Sequence, residues 1–370
     1  MTCVLIATYP SDIHATVVAD ALAARGHEAI LWQGTDFPMR QHASFSIVDG
    51  VEASWEVSGP RVRLSSGTAI DVVWFRRPVT DPVLPEEMHP GDRVVAQREC
   101  SIFSRNLWSL VAPGAFWVNP LGSRQRSNAK PVQLQEALAA GLTVPPTLCS
   151  NDPDRIRAFL RRYEGRAIYK PFYPAQWRKE DGAALTFTSV VELADLPEDD
   201  VLRLAPGIFQ ERIEKDYELR LTYMGDHLVA AKLLSQDAPD ARLDWKLAFD
   251  DLRVEPIEIP RALDQACRVL LQRLGIIFAC LDLIVTPEGE YVFLEVNEMG
   301  QFLWVEELNP DFRLLDPFCE FLIQARTNFK WQMSSGNLRF GDLQNAGEAK
   351  QQEVFSRAHV AKPAYFSVRD

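Results

Sequence analysis

The sequence of 370 residues holds no run of the roughly 18–20 apolar residues that a membrane helix needs. Its start, Met1 to Ala7, has neither a basic segment nor a long apolar core, so a secretory signal is not expected. Cysteine is sparse: six residues, scattered, with no C-x-x-C pair. That excludes a disulfide framework or a thiolate zinc site and leads us to expect reduced, mostly buried thiols in a cytoplasmic protein. The six histidines form no H-x-H or H-x-x-x-H pair, which disfavours a histidine metal site. There is no G-x-G-x-x-G fingerprint, no Walker A loop, and no H-R-D or D-F-G set. Basic residues are outnumbered, 39 against 51, and the net charge of −12 argues against non-specific nucleic-acid binding. A local basic cleft remains compatible with that charge.

What is present is an ordinary globular composition, 47% hydrophobic and 24% charged, over a length that suggests two to three domains. The opening reads as a βαβ unit: Thr2–Thr8 apolar, Ile13–Arg25 at helical spacing, Gly26 as its cap, then Glu28–Gln33. Asp49-Gly50 signals a hairpin, Ile70–Phe75 a strand that ends in Arg76-Arg77-Pro78, and Gln97–Leu110 a helix. A first domain is expected to end near Asn119-Pro120. Further helices are expected over Ala129–Ala140, Ile156–Tyr163, Arg261–Leu274 and Phe312–Ala325, the last bent at Pro317. The chain turns polar after Trp331, where a loosely attached tail is expected.

The most informative segment runs from Ala279 to Asn297. With Glu288-Gly289 as a two-residue turn, Asp282 faces Glu295 across the ladder, and Asn297 shares the face of Glu295 because side chains alternate. Leu281, Leu283, Leu294 and Val296 then form the core face. Two like charges opposite each other are unfavourable unless neutralised. The alternatives are a half-exposed solvated face or a hard divalent cation held by oxygens, Mg²⁺ rather than Zn²⁺. Mg²⁺ so bound usually also takes phosphate oxygens, which draws in Lys130, at a helix start, and Lys170, in the apolar stretch Ala167–Phe172. Lys170 is either an anion partner or an edge-strand guard.

In this order the pieces resemble the ATP-grasp superfamily, and within it the microviridin-type maturases of ribosomal peptides that make graspetides. The resemblance rests on Val73-Trp-Phe-Arg76-Arg77-Pro78, Lys130-Pro-Val-Gln133, Tyr169-Lys170-Pro171, Gln210-Glu211-Arg212-Ile213, Glu218-Leu-Arg220, Asp244-Trp245-Lys246 and Glu295-Val-Asn297-Glu-Met-Gly300-Gln301. It implies an α/β fold with α+β lobes: a pre-ATP-grasp domain over 1–122, a central lid over 123–208, a C-terminal ATP-grasp domain over 209–330, and a polar tail over 331–370. It further implies that Lys130 and Lys170 contact the phosphates of ATP. Gln210, Glu211, Arg212 and Ile213 would form the adenine hinge, Glu218 would hold the ribose, and Asp282, Glu295 and Asn297 would carry Mg²⁺. Arg220 and Lys246 would be catalytic, Lys246 standing where relatives more often have arginine. After Lys170-Pro171 the segment Phe172 to Gly182 lacks the usual glycine-containing phosphate loop, so Arg178 and Lys179 are expected to supply charge instead.

The activity implied is that of an ADP-forming ligase. Asp or Glu side chains of a precursor peptide become acyl-phosphates, then rings with Thr, Ser or Lys. The peptide would dock through a leader segment, with Arg76 and Arg77 as candidates for acidic contacts; neither nucleic acid nor membrane is an expected partner, and a homodimer is compatible. The competing expectations are another ATP-grasp ligase acting on amino acids or a protein terminus, and a non-catalytic nucleotide-binding regulator.

Overall fold

The computed structural model describes residues 1–343 apart from 51, 80, 86, 173–175, 180–181, 186–187, 238–241, 244, 246–250 and 333–337, with the backbone alone for 176–179 and 182–185. The chain begins with β1 (Cys3–Thr8), α1 (Ile13–Ala24) and β2 (Glu28–Gln33). Asp12 caps α1 through the Ala15 N–H. An antiparallel trio follows, β3 (His42–Val48), β4 (Glu52–Ser58) and β5 (Arg63–Ser65), and then β6 (Val72–Trp74). Helix α2 (Pro90–Trp108) starts seven residues earlier than the sequence suggests, because Pro90 suits a first helical turn. With β7 (Phe116–Val118) the parallel sheet is complete, in the order β2-β1-β6-β7. Alternation along β1 divides its side chains between two cores. Leu5 and Ala7 face β4, β5 and Trp108, whereas Val4 and Ile6 face α1 and the C-terminal half.

Helices α3 (Arg124–Asn128) and α4 (Lys130–Ala139) lead into a second sheet. Its elements are β8 (Thr147–Ser150), α5 (Pro153–Arg162) and β9 (Ala167–Lys170), the hairpin β10 (Gln176–Lys179) with β11 (Gly182–Leu185), then β12 (Ser189–Val190), α6 (Asp199–Leu204) and β13 (Gly207–Glu211). The antiparallel order is β12-β9-β13-β8, and among the described residues β10 pairs with β11 alone. A third sheet, β16-β15-β14-β17-β18, is built from β14 (Tyr217–Met224), β15 (His227–Leu233), β16 (Val254–Pro256), β17 (Phe278–Val285) and β18 (Tyr291–Asn297). One face of it packs on α4 and α7 (Arg261–Leu274). The other shares a continuous core with β1, β6 and β7 through α8 (Leu303–Leu308) and α9 (Leu315–Gln324).

Two expectations need correction. The last helix is not bent at Pro317; it begins at Leu315, so Pro317 falls in the first turn, where its missing N–H costs nothing. The chain from Trp331 is not loosely attached at its described residues, 331–332 and 338–343. Trp331 Nε1 donates to Asp316 at 3.0 Å, Phe340 is buried, and its N–H meets the Glu306 carboxylate at 2.9 Å. Glu306 also accepts from the N–H groups of Leu314 and Leu315, at 2.8 and 2.9 Å, while its burial pushes the carboxyl pKa up. Residues 344–370 of the expected tail lie outside the described residues.

A buried amide ties the parallel sheet to the large antiparallel one. Asn119 Oδ1 accepts from the N–H of Ile277 and Phe278, at 2.8 and 2.9 Å. Its Nδ2 donates to the carbonyls of Phe278 and Glu298, at 2.7 and 2.9 Å. All four hydrogen bonds of the side chain are thus used. An Asn119→Ala variant would leave two buried donors and two buried acceptors unpaired, at about 1–3 kcal/mol each before relaxation. A loss of at least about 3 kcal/mol in urea unfolding is expected; a loss below about 1 kcal/mol would mean that the anchor is elsewhere.

Candidate active site

The hairpin of β17 and β18 carries the acidic pair. Asp282 does sit opposite Glu295, and Cys280 opposite Asn297, but the turn is not the two-residue one. Thr286 and Glu290 close a three-residue loop, Thr286 N–H to Glu290 O at 3.0 Å, with Gly289 at φ 84°. The register slips between Asp282 and Leu283, so that Leu283 faces Phe293 and Leu294 is the extra residue of a bulge. Bulge and longer turn cancel, and the acidic pair ends up across from itself. Leu294 is half-buried, and Phe293 takes the core position expected for it, beside Leu281, Leu283 and Val296.

Arg220 on β14 lies opposite Asp282 on β17, which lies opposite Glu295 on β18. One row across three strands therefore carries a cation and two anions. Arg220 is 3% exposed; its Nη1 donates to Asp282 Oδ1 at 2.6 Å and its Nη2 to the Gln301 carbonyl at 2.6 Å. Burial disfavours its charge, but Asp282, Cys280 and Glu295 together outweigh that, and its pKa moves up. At the other end Lys130, the first residue of α4, is ion-paired with Glu295 Oε2. Asn297 closes the gap: its Nδ2 donates to Asp282 Oδ2 at 3.1 Å and to Glu295 Oε1 at 3.2 Å.

Among the described residues no three His, Cys, Asp or Glu side chains gather as a metal site. The candidate donor set is instead two carboxylates and an amide, the hard-oxygen chemistry that Mg²⁺ takes. It fits the geometry, because one inner oxygen of each carboxylate already points at the Asn297 amide. A half-turn of that amide would present Oδ1 in place of Nδ2 and gather three oxygens.

Sequence reasoning missed the support beneath this row. Gln133, one helical turn after Lys130, behaves as a one-residue strand at the open edge of β18. Its Oε1 accepts from the Val296 N–H at 3.0 Å and its Nε2 donates to the Val296 carbonyl at 2.9 Å. It thereby fixes the backbone between Glu295 and Asn297. Buried Glu298 is held by Arg124 at 3.0 Å and Asn128 at 2.9 Å. The signal in the sequence was the i, i+3 spacing of Lys130 and Gln133.

The row opens into a cavity of about 200 Å³ lined by Arg76, Arg77, Lys130, Arg220, Trp245, Asn297 and Trp304 among others. Trp245 stacks on Trp304, with ring centroids 4.6 Å apart. Other candidates lie elsewhere. Lys170 Nζ donates to Gln210 Oε1 at 2.8 Å on the second sheet, and Gln210 Nε2 to Thr147 Oγ1 at 2.9 Å. The Glu211 N–H donates to the Pro146 carbonyl at 2.9 Å, its carboxylate pairs with Arg166, and the Arg212 N–H is taken by the Arg166 carbonyl at 2.6 Å. Ile213 has no main-chain partner among the described residues. Glu218 is buried against Lys215 at 2.7 Å; burial raises its pKa, and Lys215 opposes the rise. Lys246 and the side chains of Arg178 and Lys179 lie outside the described residues.

Arg76 is not the surface contact its sequence suggested. It is 2% exposed, 3.3 Å from Asp12, and donates to the carbonyls of Met299 (2.8 Å) and Gly300. It also lies 3.2 Å from His14 Nδ1, so His14 is the neutral acceptor. Burial, then the charge of Arg76, bring the His14 pKa down from 6.5 to about 3. The folded-state value lies below the unfolded one, so this contribution to stability is complete above pH 6.5 and is lost as pH falls towards about 3. His14→Gln, which keeps an acceptor, should flatten the fall in urea midpoint over that window; an unchanged pH profile would contradict the assignment.

A parallel sheet docked on a large antiparallel sheet, a smaller antiparallel sheet with a half-buried lysine, and an acidic hairpin in the cleft define an ATP-grasp ligase. Residues 3–125 match the family model of the MvdD pre-ATP grasp domain. Macrocyclase MdnC from Microcystis aeruginosa MRC, solved with precursor peptide MdnA, is 25% identical at TM-score 0.74, over 88% of this chain and 100% of that one. A Chryseobacterium gregarium RiPP-associated ATP-grasp ligase, in complex with ADP and a leader and core peptide, is 25% identical at TM-score 0.77, over 88% and 98%. The ATP-grasp ligase PsnB, complexed with minimal precursor, Mg and ADP, is 25% identical at TM-score 0.65, over 87% and 97%. No curated protein matches the sequence. The chain thus has the ATP-grasp fold and is similar to the RiPP ATP-grasp ligases and macrocyclases named above.

Proposed function

We propose that this ligase activates Asp or Glu side chains of a ribosomally made precursor peptide and closes ester or amide rings with Thr, Ser or Lys of the same peptide. The observation that carries the reading is the row Arg220, Asp282, Glu295 and Lys130 in one cleft, on a chain similar along most of its length to a macrocyclase and to a RiPP-associated ATP-grasp ligase, both solved with peptides. ATP would lie between the lobes 123–208 and 209–330, with 1–122 behind them. Lys130 and Lys170 are suited to its phosphates, the backbone of Glu211 to Ile213 to its base, and Glu218 to its ribose. Mg²⁺, when bound by Asp282, Glu295 and Asn297, would supply a positive field for the transferring oxygens.

A carboxylate oxygen of the peptide attacks the γ-phosphorus, forming an O–P bond as the bond to ADP breaks. A hydroxyl or amine then attacks the acyl carbon, loses its proton and expels phosphate. Arg220, fixed by Asp282 and Gln301, is placed to offset the charge on the acyl-phosphate. No protein nucleophile is required.

The peptide would dock by its leader in the cytoplasm; no helix among the described residues is long and apolar enough to cross a membrane. A homodimer would use α2, which buries only Leu107 and Trp108 and leaves Val94, Val95 and Ile102 exposed. Sedimentation should then show a dimer that Val95→Glu dissociates; a monomeric wild type would contradict it.

The function is tested with ATP, Mg²⁺ and a synthetic precursor peptide carrying Thr, Ser, Asp and Glu. Each ring should remove the mass of one water; a gain in mass would indicate ligation of a second molecule and overturn ring closure. Asp282→Ala and Glu295→Ala should lower peptide-dependent ADP formation by at least about a hundredfold with the fold retained, and chelating the metal should do the same to the wild type. Undiminished turnover in either variant would remove the metal assignment.

A further inference from the structure

Four cationic side chains line the cleft: Arg76, Arg77, Lys130 and Arg220. Three of them are neutralised. Arg76 is paired with Asp12, Lys130 with Glu295, and Arg220 with Asp282. Arg77 alone has no carboxylate partner among the described residues. It is half-buried, its Nη1 donates to the Tyr9 hydroxyl at 2.7 Å, and its guanidinium lies 5.6 Å from the centroid of the Tyr9 ring.

Its backbone is fixed as well, because the Arg77 N–H donates to the Ala7 carbonyl at 2.8 Å. The side chain is therefore held at its base by the parallel sheet and along its flank by an aromatic face. Such a guanidinium keeps unused N–H donors in a fork that matches a carboxylate, and little rotamer freedom remains to be lost on binding. It stands on the N-terminal lobe, whereas the groups suited to nucleotide phosphates stand on α4, β9 and the hairpin. An anion brought to Arg77 approaches the same cavity from the other wall.

We propose that Arg77 selects and holds the reacting carboxylate of the peptide, so that the residue acts on the core of the substrate and not on its leader. This rests on the ligase reading above. Tyr9 sets the direction of the guanidinium, and Arg76, spent on the protein itself, holds the adjoining backbone.

The test is calorimetric binding, in the presence of Mg²⁺ and ADP. Its probes are the synthetic peptide carrying Thr, Ser, Asp and Glu and a twin with every Asp and Glu replaced by Asn and Gln. The wild type should prefer the carboxylate peptide by at least about tenfold. Arg77→Ala should bind the two within about twofold of each other, Arg77→Lys should recover part of the preference, and ADP affinity should stay within about twofold in both variants. Arg77→Ala retaining the wild-type preference would overturn the proposal, as would a loss confined to ADP binding, which would make Arg77 a phosphate contact. Turnover does not enter this readout. A wild type that prefers the carboxylate peptide yet consumes no ATP would refute the ligase reading and leave the role of Arg77 standing.

Discussion

Two carboxylates stand side by side on a buried sheet, and they cannot both remain charged without compensation. The surroundings of the cleft can be understood as the answer to that constraint. Arg220 takes one outer oxygen of Asp282, Lys130 takes one of Glu295, and Asn297 bridges the two inner ones. A charged residue brought in by a neighbouring strand and another by a helix start leave two oxygens and an amide facing one point. That is a poor arrangement for a static core and a suitable one for a site that exchanges an amide contact for a cation. Removing either cation would leave a partly buried carboxylate uncompensated, which is why such pairs are costly to break.

The row also has to be held in register, and the chain does this with uncharged groups. Gln133 pairs with the backbone at Val296, while Asn119 saturates its amide between Ile277, Phe278 and Glu298. These amides connect α4 and the end of β7 to the open end of the hairpin, away from its turn. Arg76 adds a third link, from β6 to the loop at Met299 and Gly300. The N-terminal sheet is thus part of the cleft wall, and Arg77 next to Arg76 is the consequence.

Much of this was legible in the sequence, for physical reasons that differ from case to case. Strands with strict alternation, such as β1, and the capped helix α1 follow from local pattern. The facing of Asp282 and Glu295 was legible for an incomplete reason, because a bulge at Leu294 offsets a turn one residue longer than expected. Sequence spacing is blind to such compensations. Buried amides were legible only in part: nothing local distinguishes Asn119 from a surface polar residue, and its partners, like the Val296 partner of Gln133, lie more than a hundred residues away. The docking of Phe340 on Glu306 was hidden by a polar neighbourhood that looked like a tail.

The proposed function turns on one chemical step, the conversion of a side-chain carboxylate into an acyl-phosphate in this cleft. The direct measurement uses a peptide whose Asp and Glu carboxylates are labelled with heavy oxygen, followed by mass analysis of the phosphate released. The account requires one labelled oxygen to appear in inorganic phosphate for each ring closed. Rings formed with unlabelled phosphate, or with AMP and pyrophosphate as products, would contradict it.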